Sequence, residues 1–327
     1  MTSYAFVFPG QGSQSVGMGH ALVFRSAAAR AIFEQAETAL GEPIARIAFE
    51  GPAEHLDRTE NAQPALLVTS IAYLAALRER WAELGIDPGE PRYVAGHSMG
   101  QYSALVAAGA LSLEDGVRLV RERGLQMQAS GGGREGAMAA IIGLDDAALP
   151  DLIAQAGVAG IFGVANRNAP GQVVVSGERG AIEASAEIAK ALGARKAIVL
   201  PVSVAAHSPL MADAATAMTR VLASVAFRDP VPHLLANADA RLLDTAESCR
   251  AELVEHLTTG VDWVRAVERM AADGVTTFVE VGPGRVLTGL IRRIAPDSDA
   301  IALDDPLAPD RLFIPFAPVP AAAGDPA

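Results

Sequence analysis

The pentapeptide Gly96-His97-Ser98-Met99-Gly100 lies between an apolar strand, Tyr93–Ala95, and an apolar helix that begins near Gln101. A strand, a sharp turn and a helix in this order form the context that a G-x-S-x-G nucleophile elbow requires, and the glycines leave room for the backbone. The pattern predicts that the Ser98 hydroxyl points outward at a helix N-terminus, where free N–H groups suit a developing oxyanion. The alternative, an inert serine in a glycine-rich turn, lacks that context.

On both sides of the elbow, apolar strands alternate with helices. A buried strand is predicted at Tyr4–Phe8, and helical spacing is found over Ala21–Leu40, Pro64–Leu77 and, started by Ser112, Leu113–Gln128. This alternation predicts an α/β fold with a largely parallel sheet and helices on both faces.

A second pattern follows the glycine-rich joint Ser130–Gly133. The predicted segments are strand Ala137–Ile142, helix Ala147–Ala156, strands Phe162–Asn166 and Gln172–Ser176, helix Arg179–Leu192 and strand Lys196–Leu200. The order βαββαβ is typical of a ferredoxin-like unit. We therefore predict a large discontinuous catalytic domain, 1–130 and 203–305, an inserted small subdomain, 134–202, and an extended or disordered Pro/Ala-rich tail, 306–327.

Composition limits the classes of function. The chain has 327 residues, half of them hydrophobic, and a formal net charge of −12, which argues against a nucleic-acid-binding protein. No apolar run approaches the ~20 residues of a membrane helix, and no signal peptide is recognisable. The single cysteine, Cys249, fits a reducing compartment. We expect a cytoplasmic monomer with no membrane partner, no metal and no resident cofactor.

A serine nucleophile needs a base, and His207 is the best candidate among six scattered histidines. It lies on a loop where the inserted unit ends, whereas His97 is adjacent to Ser98 and better placed for support. No acid stands out as a third triad member. The acids that follow His207 include Asp239, Asp262 and Glu280, and a backbone carbonyl can hold the imidazole instead.

Two other residues are candidates for binding roles. Gln11 follows the first strand in a glycine-containing loop, where its side chain or N–H can act as an oxyanion donor together with the Met99 N–H, although an ordinary turn explains the loop equally well. Arg123 lies in a predicted helix. A lone helical arginine is usually solvated, but one buried beside Ser98 would form a bidentate clamp for a carboxylate.

Seven motifs in this order resemble the malonyl-CoA:acyl carrier protein transacylase family, acyltransferases that load malonyl units for fatty-acid synthesis. The resemblance extends from Tyr4 to about Ile294. The motifs are Phe6–Gln14, Thr59-x-x-x-Gln63-Pro64-Ala65-Leu66, the elbow, Arg123-Gly124, Asn166-x-Asn168-x-Pro170-Gly171-Gln172, Val202-Ser203-Val204-x-x-His207 and Glu280–Gly284.

The resemblance implies an α/β-hydrolase-like large domain with a ferredoxin-like insertion and a ping-pong transfer from malonyl-CoA to the phosphopantetheine thiol of acyl carrier protein, the protein partner. Ser98 would be the acylated nucleophile, His207 its base, and Arg123 the partner of the malonyl carboxylate. Gln11 and Met99 would form the oxyanion hole. Four further residues would line the site: Gln63, His97, Asn166 and Asn168. A main-chain carbonyl near Asp262 would orient His207.

Three positions depart from the family pattern. Gln101 stands where Glu is usual, Asp262 where Gln or Arg is usual, and Ala205-Ala206 precedes His207. The two alanines leave open whether the pocket selects malonyl over methylmalonyl groups.

Several functions stay open at this point. A polyketide acyltransferase with another extender unit would share the chemistry. A serine hydrolase or thioesterase would need a triad acid and no carboxylate clamp. The intact set of candidate residues argues against an inactive carrier-binding subunit.

Overall fold

The computed structural model describes residues 3–202, 204–305 and 307–308, and shows a mixed α/β fold with two sheets. The strands are β1 Tyr4–Phe8, β2 Tyr93–Gly96, β3 Gly136–Ile142, β4 Phe162–Ala169, β5 Gln172–Glu178, β6 Lys196–Val199, β7 His233–Leu235, β8 Leu242–Leu243, β9 Val261–Asp262, β10 Thr277–Val281 and β11 Asp299–Leu303. The predicted tail from Pro306 lies outside the described residues, apart from Leu307 and Ala308.

The helices connect these strands and cover the sheets. They are α1 His20–Val23, α2 Ala27–Leu40, α3 Ile44–Glu50, α4 Ala53–Leu56, α5 Thr59–Leu84, α6 Gly100–Ala107, α7 Leu113–Ala129, α8 Leu149–Ala156, α9 Arg179–Ala191, α10 Ala212–Leu222, α11 Ala246–Thr259, α12 Trp263–Ala272 and α13 Val286–Ile294. None of the described helices combines the length and apolar character needed to cross a bilayer.

The first sheet has the strand order β11-β10-β1-β2-β7-β8 and, over its described strands, is parallel except for β8. β1 lies between β10 and β2 and is buried along its whole length. Its last residue, Phe8, pairs in register with Gly96 at the end of β2. Because the carboxyl ends of parallel strands share one edge, the loop after β1 and the elbow after β2 lie side by side.

The second sheet has the order β6-β3-β5-β4-β9 and is antiparallel apart from the β4–β9 pair. The six segments predicted after the glycine-rich joint are all present in the predicted order. On one face, α8 and α9 pack over an apolar cluster that includes Ile141 and Val175. On the other, Met138, Ala165 and Val174 form a smaller cluster.

Close packing of helices α5 and α7 fixes the position of Arg123, the candidate carboxylate clamp. α5 begins at Thr59, five residues before the predicted start, and contains Pro64, which has no N–H to donate to the Glu60 carbonyl. The Arg121 guanidinium donates to that carbonyl from α7 at 2.5 Å. A Cβ on Gly124 would lie 2.6 Å from the Glu60 Cα, so only glycine permits this approach. The two contacts hold the part of α7 that carries Arg123.

The helix predicted over Ala21–Leu40 is two helices. The first ends at Val23, and Ser26 precedes the second in an extended conformation, where its side chain accepts a hydrogen bond from the Ala29 N–H at the start of α2. The apolar spacing continues through this cap, which explains why the pattern alone missed the break.

Candidate active site

The elbow is as tight as the motif predicts. Ser98 has φ +53°, a left-handed conformation that is costly for a residue with a side chain. A Cβ on Gly96 would lie 2.1 Å from the Gly100 oxygen, and one on Gly100 would lie 2.2 Å from the Phe8 oxygen. Both glycines are therefore needed for space, since neither has a positive φ. The turn places Ser98 Oγ at the edge where β1 and β2 end.

The structure brings His207 to Ser98. The Ser98 Oγ lies 2.8 Å from His207 Nε2, and His207 Nδ1 lies 2.5 Å from the carbonyl oxygen of His256. Because a carbonyl only accepts, Nδ1 carries the proton and Nε2 has the lone pair that receives the serine proton. His207 also has a left-handed backbone, with φ +61°. The pair has the geometry of a nucleophile and its general base.

The prediction that a carbonyl near Asp262 orients His207 is wrong. The orienting carbonyl belongs to His256 in the last turns of α11, because this helix passes behind His207, whereas Asp262 lies after the helix has ended. The Asp262 side chain caps α12 by accepting from the Arg265 N–H.

The other two candidate acids also have structural partners. Asp239 pairs with Arg241 on the surface, and Glu280 accepts from the Leu287 and Thr288 N–H groups at the start of α13. Among the described residues, no carboxylate bonds to the His207 ring.

Burial keeps His207 neutral. Desolvation, reinforced by the nearby Arg123 guanidinium, lowers the pKa of His207 to about 3, and the bond to the His256 carbonyl opposes this only in part. The imidazole is therefore in the form that accepts a proton at neutral pH.

Two residues that line the cavity beside Ser98 have backbone N–H groups without an acceptor in the described chain. Those of Gln11 and Met99 donate no hydrogen bond within the described ranges, and both residues line the cavity. The Gln11 side chain instead donates to Thr59 Oγ1 at 3.3 Å. Met99 precedes α6, so its N–H also lies at the positive end of a helix. Such donors can stabilise an oxyanion without moving.

Arg123 is buried, with 1 % of its surface exposed, and its Nη2 lies 3.3 Å from Ser98 Oγ. The same nitrogen lies 3.4 Å from His256 Nε2, and the guanidinium carbon is 5.9 Å from the centre of the Tyr102 ring. Nε is buried without a partner, and no described carboxylate forms an ion pair with this side chain. Burial lowers the pKa of Arg123, but a guanidinium keeps its charge in proteins. The site thus holds a buried cation with no counter-ion, which is costly unless a ligand supplies one.

The structure places three of the four other predicted residues in the cavity. His97 Nε2 lies 2.8 Å from Asn168 Oδ1, and Asn166 lines the cavity with its Oδ1 unpartnered. Gln63 does not line the cavity, and its Nε2 lies 3.7 Å from the sulfur of Met127, which does.

The cavity has a volume of about 490 Å³. The apolar part of its lining includes Met138, Val174, Leu200, Val202 and Ala206.

Sequence reasoning missed a buried network behind the elbow. Asn237 Oδ1 accepts the Ser98 N–H at 2.8 Å, and the Asn237 N–H donates to Glu252 Oε1 at 2.6 Å. Burial raises the pKa of Glu252 to about 7. The position of Asn237 at the end of a strand beside β2 was a usable signal, but Glu252 and His256 lie inside a helix with no motif.

Gln101, one of the departures from the family pattern, has a bridging role. Its Oε1 accepts from the Gly96 N–H at 3.2 Å, and its Nε2 donates to the Leu235 carbonyl at 2.8 Å. A neutral amide can do both, so it joins the ends of β2 and β7.

No metal site accompanies these groups: across the described ranges, no three His, Cys, Asp or Glu side chains gather as metal ligands would.

Comparison with known proteins places the chain in a family. The acyl transferase domain model matches residues 5–302. The malonyl CoA-acyl carrier protein transacylase of Bacillus subtilis is 43% identical over 307 residues, which cover 94% of this chain and 95% of that protein. The crystal structure of an acyl-carrier-protein-S-malonyltransferase from Bartonella henselae has a TM-score of 0.91 at 41% identity, covering 96% of this chain and 99% of the other.

A third relative is a complex. The structure described as a type II PKS acyl-carrier protein with its malonyl-transacylase matches with a TM-score of 0.88 at 38% identity, covering 94% of this chain and 98% of that chain. The chain belongs to the acyl transferase family and is an acyltransferase.

The low pKa of His207 predicts an unusual acidic limit for Ser98 reactivity. A base must be neutral to act, so labelling of Ser98 by a fluorophosphonate should fall only as the pH drops well below 6.5, the ordinary histidine value. Labelling rates across pH, measured by intact-protein mass spectrometry, test this, and a midpoint near 6.5 would contradict it.

The control for this experiment is folding. Because the pKa of His207 is lower in the folded chain, the unfolded chain binds more protons between pH 6.5 and about 3. Stability is therefore lost as the pH falls through this range, and circular dichroism must show that the labelled protein is still folded.

Proposed function

We propose that the chain transfers a malonyl group from malonyl-CoA to the phosphopantetheine thiol of acyl carrier protein through an acyl-Ser98 intermediate. The observation that carries the proposal is Arg123: a buried guanidinium beside the nucleophile, without a carboxylate partner in the described chain. A malonyl thioester has a carboxylate two bonds from the carbonyl that Ser98 would attack. The names of the relatives support the same donor and acceptor.

In the first half-reaction, Ser98 Oγ attacks the thioester carbonyl while its proton passes to His207 Nε2. The N–H groups of Gln11 and Met99 are the proposed oxyanion donors, and each such donor is typically worth about 3 kcal/mol of barrier. When the tetrahedral intermediate collapses, the carbon–sulfur bond breaks and the CoA sulfur takes the proton from His207. Malonyl-Ser98 remains as an ester.

The second half-reaction runs the same steps in reverse. His207 takes the proton of the phosphopantetheine thiol, and the sulfur attacks the ester carbonyl. The carbon–oxygen bond breaks, Ser98 Oγ recovers the proton, and the malonyl thioester leaves on the carrier. The phosphopantetheine is the carrier's own group, so we propose no resident cofactor.

The orientation of His207 supports transfer over hydrolysis as the physiological role. A serine hydrolase would combine a triad acid with no carboxylate clamp. Here a carbonyl holds the imidazole, and an unpaired cation lies beside the nucleophile. Both features are the reverse of that expectation.

Of the two alanines before His207, one lines the cavity in which the acyl group would lie. Ala206 lines the cavity, whereas Ala205 is buried and packs near Gly136. We propose that Ala206 is the residue of this pair that influences the size of the acyl group accepted.

Acyl carrier proteins are acidic, so the acidic chain needs a local basic surface for docking. On the large unit, Arg285 pairs with Asp304, and Arg292 and Arg293 donate to neighbouring oxygens. On the inserted unit, Arg195 and Lys196 are exposed and have no ion pair within the described ranges. We propose that these two residues contribute to carrier docking.

We also propose that the second sheet is a ferredoxin-like insertion in an α/β-hydrolase-like domain, with the boundaries predicted above. The strand order β6-β3-β5-β4 and the two helices on one face support this description. The addition of β9 to the edge of this sheet ties the insertion to the chain that returns from it.

The direct test of the function is transfer of a covalent adduct. After brief exposure to malonyl-CoA, the protein should gain the mass of one malonyl group on Ser98, and added holo-acyl carrier protein should remove it and become loaded. Ser98→Ala should show no adduct. An adduct lost to water with the carrier left unloaded would favour a hydrolase and contradict the proposal.

The carboxylate clamp predicts a change in selectivity. Arg123→Ala leaves the malonyl carboxylate without its cation, and breaking a buried ion pair costs about 3–5 kcal/mol, so kcat/KM for malonyl-CoA should fall roughly 200- to 5000-fold. The value for acetyl-CoA should change far less. The control is Arg118→Ala, which removes an exposed arginine from the same helix. Malonyl selectivity that survives in Arg123→Ala would exclude the clamp.

A further inference from the structure

We propose that the His256 imidazole is a positioning residue for Arg123, and therefore a determinant of selectivity for acyl groups that carry a carboxylate. This role is additional to the contact of its carbonyl with His207, and it rests on the proposed function of Arg123 as the clamp. His256 would then hold His207 through its carbonyl oxygen and Arg123 through its ring nitrogen Nε2.

The hydrogen bonds of the ring define its tautomer. His256 Nδ1 lies 2.9 Å from the Glu252 carbonyl oxygen, one helical turn earlier in α11, so Nδ1 carries the proton. Nε2 then has a free lone pair, and this atom is the one that lies 3.4 Å from Arg123 Nη2. The ring is therefore an acceptor for the guanidinium.

The surroundings of the ring keep it neutral. His256 is completely buried, and burial together with the Arg123 and His207 side chains lowers its pKa well below the ordinary histidine value. A protonated ring would present a second donor to the guanidinium and a second positive charge beside it. The neutral acceptor thus suits the position.

The other neighbours of Arg123 do not provide a hydrogen-bond acceptor that is present throughout the reaction. The Tyr102 ring lies near the guanidinium, but its hydroxyl is buried without a partner. Ser98 Oγ lies 3.3 Å from Nη2, but this oxygen becomes an ester when the serine is acylated. The His256 lone pair is present before and after acylation, so it can hold Nη2 while Nη1 remains for the carboxylate.

The position of the ring is itself supported. α11 carries Glu252, whose carboxylate accepts from the Asn237 N–H, and Asn237 in turn accepts from the Ser98 N–H. The helix that presents His256 is therefore tied to the elbow, which fixes the distance between the clamp and the nucleophile.

The test compares two kinds of substitution. His256→Phe keeps a flat ring and the backbone carbonyl but removes the acceptor, whereas His256→Gln supplies a neutral oxygen acceptor. The readouts are kcat and KM for malonyl-CoA and acetyl-CoA with holo-acyl carrier protein as acceptor, and the rate of Ser98 labelling by a fluorophosphonate. His233→Gln, at an exposed histidine on β7, is the matched control.

We expect His256→Phe to lower the malonyl-to-acetyl ratio of kcat/KM about tenfold, the lower end for a hydrogen bond to a charged group. The change should fall mainly on KM for malonyl-CoA, and the rate of Ser98 labelling should fall less than kcat/KM for malonyl-CoA. His256→Gln should restore most of the ratio. If His256→Phe does not fold, His256→Leu repeats the test with a smaller side chain.

Three results would overturn the inference. These are an unchanged ratio in His256→Phe, an equal loss of both substrates together with Ser98 labelling, and a His256→Gln variant as impaired as His256→Phe. Failure of the proposed function looks different, because the parent enzyme itself would then show no preference for malonyl-CoA.

Discussion

The sharp turn at Ser98 is the constraint on which the rest of the site depends. A left-handed serine costs about 1–3 kcal/mol and persists only where its surroundings hold it. Here the Phe8 carbonyl accepts the His97 N–H at 3.0 Å, Gly100 packs against the same carbonyl, and Asn237 accepts the Ser98 N–H. The central strand of the parallel sheet, the elbow and the network behind it therefore form one unit.

The use of a backbone carbonyl to orient His207 has a consequence for recognition. The residue that supplies this carbonyl, His256, also lies against Arg123, so a carboxylate orienting the imidazole from the same place would lie close to the guanidinium. Such an acid would neutralise the cation that the substrate is proposed to meet. A carbonyl orients the base without adding charge, and it leaves Arg123 available for a ligand.

Local patterns predicted much of this site. The elbow followed from residue types in a strand–turn–helix context, His207 from its loop at the end of the inserted unit, and the parallel arrangement of the first sheet from alternating strands and helices. The residue pattern left the burial of Arg123 open, and its role came from the resemblance to the transacylase family. The break at Ser26 and the carbonyl that holds His207 could not be predicted in this way. The apolar spacing continues through Ser26, so the pattern does not show the break there. The carbonyl that holds His207 is a backbone atom, and the packing of α11 brings it into place. Glu252 and His256 act through tertiary contacts, and a helical pattern does not encode them.

We propose that the Arg123 cation receives the carboxylate of the acyl group held on Ser98. A crystal structure of the protein after exposure to malonyl-CoA would show whether it does. We expect a malonyl ester on Ser98 Oγ, its carbonyl oxygen near the Gln11 and Met99 N–H groups, and its carboxylate on the Arg123 guanidinium. An ester whose carboxylate points into solvent or binds another residue would contradict it.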